Sequence, residues 1–241
     1  MKKIYQNIIA SRAKDEKLLA VLIDPDKMKP EAVSSFIAKV NKSIATHIFV
    51  GGSEVYEGLT EALVIEIKKY TSLPVILFPG DVIQITNKAD GILFLSLISG
   101  RNPEYLIGKQ VKAVSKLAKT SLEVIPTGYL LIENGKETAV QRVSETKPIK
   151  RSAIHTIKDT AKAGELLGMQ LIYLEAGSGA THPIEPNIIS EVKQQLKIPL
   201  IVGGGIRKRL ELDAAYNAGA DLIVIGTAFE DNEDCFKQFK K

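Results

Sequence analysis

Short apolar runs rich in Val, Ile and Leu recur along the chain, and segments with helical spacing lie between them. The runs predict strands at Leu18–Asp24, His47–Gly51, Val75–Phe78, Gly91–Leu97, Leu122–Tyr129, Leu171–Glu175, Leu200–Gly203 and Asp221–Gly226. Strands that are apolar almost throughout are covered on both faces, as in a parallel sheet. Between them, Val33, Phe36, Ile37 and Val40 follow i, i+3, i+4, i+7, with Pro30 suited to a first turn. Leu59, Leu63 and Ile67 form a second stripe. Leu106, Gln110, Val114 and Leu117 form a third, with Gln110 its polar exception. Ile154, Ile157 and Ala161, then Ile188, Ile189, Val192 and Leu196, then Leu210, Ala214 and Ala218 continue the pattern. Only about a dozen residues separate Phe78 from Gly91, with Pro79 and Gly80 among them, so a full crossover helix, which needs at least about 10–12 residues, hardly fits. A short turn or reduced helix is expected there.

Strand and helix alternate without a linker or low-complexity break. The expected fold class is α/β, a single (β/α)8 TIM barrel over residues 1–241 with a reduced or missing third helix. A doubly wound open sheet is the alternative, but no G-x-G-x-x-G follows the first strand.

Composition narrows the classes further. The 241 residues carry a net charge of +4, with lysines scattered among acids. Arg207-Lys208-Arg209 and the Lys237–Lys241 cluster are short and read as solvated surface rather than as a nucleic-acid stripe. The longest apolar runs are strand-sized, far short of the ~20 residues that span a bilayer, although contact with an anionic membrane surface stays open. The segment through Lys17 is mixed and polar, without the apolar stretch of a signal peptide. Cys235 is the only cysteine, so no internal disulfide can form. A cytoplasmic protein is expected.

Candidate chemistry sits at the strand ends. Strand seven runs into Gly203-Gly204-Gly205-Ile206 and strand eight into Gly226-Thr227. In such barrels the loops after strands 7 and 8 often hold phosphate, and glycine lets backbone N–H groups approach an anion. Tight turns are the plainer explanation for either loop alone. Strand one ends Asp24-Pro25-Asp26, and a buried carboxylate calls for a partner. Mg2+ with Asp24 and Ser53 as ligands fits, since magnesium takes few carboxylates and leaves positions to water and phosphate. Helix capping by Asp24 or Asp26 competes. In Tyr173-Leu174-Glu175-Ala176-Gly177-Ser178-Gly179, alternation places Tyr173 and Glu175 on one face. Glu175 can orient a hydroxyl or act as general base, against an ion-pair role for Glu175 and a core role for Tyr173. Ser178 lacks the flanking glycines of a nucleophile elbow, and His47, His155 and His182 are too dispersed for a metal site.

The ordered set Asp24-Pro25-Asp26, Val50-Gly51-Gly52-Ser53, Phe94–Ser99, Glu123–Pro126 with Gly128-Tyr129, Tyr173–Gly179 and Gly203–Ile206 resembles the geranylgeranylglyceryl phosphate synthases, a family that includes bacterial heptaprenylglyceryl phosphate synthases. The resemblance covers nearly the whole chain. It implies a magnesium-dependent prenyltransferase joining sn-glycerol 1-phosphate to a long prenyl diphosphate, geranylgeranyl diphosphate in the main branch, through an ether bond. By motif match it puts Asp24 and Ser53 on the metal. Tyr173, Leu174, Glu175, Ala176, Gly177, Ser178, Gly179, Gly204, Gly205, Gly226 and Thr227 would hold glycerol phosphate, with Glu175 and Tyr173 catalytic. A homo-oligomer, dimer or hexamer, is expected on the same ground. Two positions depart from the family pattern. Leu22 stands where the heptaprenyl branch has lysine, so Lys27 or an arginine would supply that charge. Thr227 stands where asparagine is common. A sugar-phosphate isomerase or related phosphate-binding barrel enzyme would share the glycine loops but need no long apolar trough, and a non-catalytic phosphate-binding scaffold is a further alternative.

Overall fold

The structure, a computed structural model, describes residues 3–231, 236 and 238–240. Cys235, Lys237 and Lys241 lie outside them. All eight predicted strands form: β1 (Leu18–Ile23), β2 (His47–Val50), β3 (Val75–Leu77), β4 (Gly91–Ser96), β5 (Glu123–Leu131), β6 (Leu171–Glu175), β7 (Leu200–Gly203) and β8 (Leu222–Ile225). They pair in parallel and in sequence order, and β8 closes on β1 with Leu18 opposite Leu222. Alternate residues along each strand divide into two cores. Leu18 and Ala20 of β1, Leu171 and Tyr173 of β6, and Leu222 and Val224 of β8 fill the barrel. Leu19, Val21, Ile172, Leu174 and Ile223 face the helices. The interior is therefore packed with side chains rather than open as a pore.

The outer helices are α2 (Val33–Lys42), α3 (Leu59–Ile67), α4 (Lys109–Leu117), α6 (Ile154–Leu166), α7 (Pro186–Gln195) and α8 (Arg209–Asn217), all within segments of predicted helical spacing. A short α5 (Ala139–Ser144) follows β5, and α9 (Thr227–Asp231) follows β8. After β3 the chain makes a 3-10 turn, Val82–Gln84, in place of a full helix, as expected from the short interval.

Three features differ from the sequence reading. The N-terminal stretch, mixed and polar in sequence, folds into α1 (Ile4–Ala13). Ile4 and Ile8, one turn apart, seal the bottom of the barrel, and the Glu123 carboxylate accepts from Ile4 N at 2.6 Å and Tyr5 N at 2.9 Å. Two buried positions are too few to show as a stripe. In α4 the buried side chain is Ala113, while Val114 of the expected stripe is 59 % exposed. The five preceding residues, Glu104–Gly108, form a π turn. The extra residue in such a turn rotates everything downstream by about 100°, which moves the apolar face off its sequence period. In α8 the larger Leu212 and Tyr216, four positions apart, take the core, and Leu210 of the expected stripe points to solvent.

Candidate active site

The strand ends enclose a cavity of about 440 Å3 at the C-terminal face of the barrel. It is lined by Leu22, Asp24, Gly52 and Ser53 on one side, and by Tyr173, Glu175, Gly177–Gly179, Gly204–Gly205 and Gly226-Thr227 on the other. It continues over the rim at β3 and β4, where Val82, Ile85, Ile92, Phe94 and Ala113 form an apolar extension beside the missing helix. Since Ile92 and Ile85 belong to the outer core, the cavity passes from the barrel mouth to the outside of the sheet.

Aromatic rings make its floor. Phe78 and Tyr173 stack at 5.3 Å, and Tyr129 meets Tyr173 edge-on at 5.3 Å. Burial raises the Tyr173 and Tyr129 hydroxyls well above the usual tyrosine value, with the Glu175 charge adding to it. The buried Tyr173 hydroxyl makes no hydrogen bond among the described residues.

Glu175 ends β6 at 5 % exposure, and Gly177 N donates to its Oε1 at 2.6 Å. Burial raises its carboxyl to about 7, against the opposing effects of the Gly177 amide and the nearby Tyr173 ring hydroxyl. A buried carboxyl poised near neutrality and facing the cavity suits proton acceptance.

The glycines at the end of β7 are there because nothing larger fits. A Cβ on Gly203 would lie 2.3 Å from the Tyr173 hydroxyl, and one on Gly204 would lie 2.5 Å from Glu175 Oε1 and 2.7 Å from Gly177 N. Gly204 also takes φ +84°, a left-handed conformation disfavoured for other residues. The β6 and β7 loops thus interlock backbone to backbone. Ser178 Oγ lies 3.2 Å from Thr227 Oγ1, which joins the β6 and β8 loops across the same wall.

On the opposite wall, Asp24 follows β1. Its Oδ1 accepts from Asp26 N at 3.1 Å, so the carboxylate shapes its own turn, and the helical segments that follow begin later, at Lys29 and Ala32, without a side-chain cap. Lys27 Nζ is 3.6 Å from Oδ2. Burial raises the Asp24 carboxyl above its ordinary value in spite of the Asp26 amide and Lys27. A carboxylate whose desolvation outweighs its compensation, beside the Ser53 loop in a cavity open to phosphate oxygens, fits the sparse donor set magnesium accepts from protein. No group of three or more His, Cys, Asp or Glu gathers among the described residues, so the tighter all-protein cage of a structural metal is absent there.

Of the predicted site residues, Leu174 and Ala176 do not reach the cavity. Strand alternation turns Leu174 into the outer core, and Ala176 lies there too, its carbonyl accepting from Asn134 Nδ2. Conversely, Arg207 belongs to a cluster that reads as solvated surface, yet it lines the cavity rim and donates to Ala180 O at 3.0 Å. Its place directly after Gly203–Ile206 is the signal for that role. Lys109 has no such signal. It bonds Asp81 at 2.7 Å and Gly80 O at 2.9 Å along the apolar extension. His47 is buried, and burial lowers it to about 4, which makes it a neutral structural residue.

A closed parallel barrel with an interlocked glycine cradle, a carboxyl near neutrality and an apolar side channel defines a phosphate-binding TIM-barrel enzyme for a substrate that is part polar, part hydrocarbon. Comparison with known proteins names the group. The PcrB family matches residues 11–241, and the chain belongs to that family. It is 59 % identical over 233 residues, 97 % of this chain and 99 % of the relative, to the geranylgeranylglyceryl phosphate synthase of Zunongwangia profunda. It is 55 % identical over 233 residues, 97 % and 96 % of the two chains, to the enzyme of that name from Flavobacterium johnsoniae. The crystal structure of (S)-3-O-geranylgeranylglyceryl phosphate synthase from Thermoplasma acidophilum, in complex with sn-glycerol-1-phosphate, superimposes with a TM-score of 0.93 at 34 % identity, covering 99 % of this chain and 96 % of that one.

Proposed function

We propose that this chain is a geranylgeranylglyceryl phosphate synthase, a prenyltransferase that forms an ether bond between sn-glycerol 1-phosphate and geranylgeranyl diphosphate in ether-lipid synthesis. One observation carries the reading. A single cavity joins a glycine cradle and Glu175 to an apolar channel that leaves the barrel beside the turn at Val82–Gln84. A sugar-phosphate isomerase has no use for that channel. The names of the relatives support the same activity.

In this reading the Gly177–Gly179, Gly204-Gly205 and Gly226-Thr227 backbone holds the phosphate of glycerol phosphate, with Arg207 at the rim. Tyr173 packs beneath as part of the aromatic floor, while the Gly177 amide orients Glu175. The prenyl tail follows the apolar extension. Asp24 and Ser53 would hold magnesium, which supplies positive charge against the departing diphosphate. The prenyl C1–O bond breaks, and the phosphate-anchored glycerol presents its hydroxyl to that carbon. Glu175 accepts the hydroxyl proton as the ether C–O bond forms. Apolar walls and the aromatic floor exclude water, which would otherwise capture the allylic cation. Lys27 stands beside Asp24 on the diphosphate side and supplies the positive charge that Leu22 does not.

Incubation with sn-glycerol 1-phosphate and labelled geranylgeranyl diphosphate tests the activity. A lipid-soluble phosphorylated product is expected with magnesium, and its absence would refute the assignment. Homo-oligomerisation and a cytoplasmic location belong to the same reading. The exposed row Ile107, Val111 and Val114 supports self-association, which sedimentation velocity measures. No helix among the described residues is long and apolar enough to cross a membrane.

A further inference from the structure

The turn that stands in for the helix after β3 carries a side chain that the reaction above leaves unused. Gln84 is 2 % exposed, yet it is polar and its partner is a single residue on the neighbouring loop. Its Nε2 donates to Gly52 O at 2.8 Å, and Gly52 N donates to its Oε1 at 3.4 Å. A primary amide that meets both polar groups of one residue reproduces a strand–strand pairing where no strand exists.

Gly52 is pressed from both sides. A Cβ there would lie 2.7 Å from Asp24 Oδ1, so its backbone rests directly on that carboxylate. A Cβ on Gly80 would lie 2.5 Å from Gly52 O and 3.0 Å from Ser53 O. The turn is itself tied down: Asp81 Oδ1 accepts from Ile83 N at 3.2 Å, while its Oδ2 accepts from Lys109 Nζ at 2.7 Å. Gln84 is therefore a link in a chain of close contacts that begins at α4 and finishes against Asp24.

We propose that Gln84 is a positioning residue for the diphosphate half of the site, fixing the Gly52-Ser53 backbone against Asp24 so that both donors face the diphosphate and its cation in one geometry. This rests on the assignment of Asp24 and Ser53 to that half. Removing the amide leaves two backbone groups unpaired, and leaving such groups unmade costs more than the bonds contribute net. The loop would then shift to find other partners and carry Ser53 with it, while the glycerol-phosphate wall across the cavity keeps its own scaffold.

Calorimetric titration separates the halves. Inorganic pyrophosphate with magnesium probes one, and sn-glycerol 1-phosphate without metal probes the other. Gln84→Met, close to isosteric but without the amide, should bind pyrophosphate about tenfold more weakly, equivalent to about 1.4 kcal/mol. Its glycerol 1-phosphate affinity should stay at the wild-type value. Gln84→Asn keeps the amide on a shorter arm and should fall between the two, and it carries the comparison if the Met variant does not fold. Equal weakening of both ligands, or of neither, overturns the proposal. Asp24→Asn is the control. Pyrophosphate binding that needs Asp24 but ignores Gln84 refutes Gln84 alone, and binding indifferent to Asp24 refutes the half-site assignment and the proposal together.

Discussion

Replacing Glu175 by glutamine should harm catalysis and strengthen the fold at the same time. The carboxyl is buried, and its pKa stands at about 7 against an ordinary value of 4.5. Folding therefore disfavours its ionised form. The sign follows from proton binding: between those two values the folded chain holds a proton that the unfolded chain has released. Relative stability is full below about pH 4.5 and is lost as pH rises through 7. The gap between the two values corresponds to about 3 kcal/mol of destabilisation at pH 8.5. A glutamine side chain at this position would carry no charge and keep an oxygen for the Gly177 amide. Its NH2 could also donate to the Tyr173 hydroxyl. The Glu175→Gln protein should melt about 5–10 °C above wild type at pH 8.5, with the gap closing near pH 5. Turnover should fall by about 10²–10⁴, the usual contribution of a general base. Scanning calorimetry across pH and single-turnover assays measure the two effects. A stability gap that ignores pH would refute the buried-carboxyl argument, and unchanged turnover would remove Glu175 from the proton-accepting role.

Other outcomes follow from the same geometry. Wild-type kcat/KM should rise with pH through about 7 as Glu175 ionises, and a flat profile from about pH 5.5 to 8.5 would count against it. Gly204→Ala forces a Cβ into the Glu175 carboxylate at a left-handed φ, so calorimetry should show glycerol 1-phosphate binding at least about tenfold weaker. Asp24→Asn should cost about 100-fold or more in activity and abolish the effect of added magnesium or chelator, and a variant that still responds to both removes Asp24 from the metal. Burial holds His47 near 4, below its unfolded value of 6.5, so the stability it contributes is full above pH 6.5 and falls by about 3 kcal/mol towards pH 4. Urea midpoints over that range should fall less steeply in His47→Asn.

The barrel is legible because most strands are buried on both faces and so read as nearly continuous apolar runs, β5 with Glu123 and the exposed Val124 at its start being the weakest. Even the missing helix can be counted from the short interval after Phe78. What escapes depends on contacts distant in sequence or on a local change of period. The Ile4–Ile8 plug shows its purpose only against the barrel floor, and the π turn displaces the face of α4. The Tyr173–Glu175 pair is readable from strand alternation alone. Taking the whole run to Gly179 as ligand-facing includes Leu174 and Ala176, which lie in the outer core instead. Gln84 leaves no trace, since its meaning lies in Gly52, thirty-two positions away.

An eight-fold barrel has no preferred compass bearing, since every sector of its wall repeats the last. Putting a three-residue turn where one sector should carry a helix breaks that equivalence and gives the container an orientation. A flexible guest anchored by its polar end at the mouth then has one low-cost direction in which to lie, whatever its length. Changes of guest length can be met by altering a few side chains along that single bearing, while the strands and the glycine cradle stay as they are.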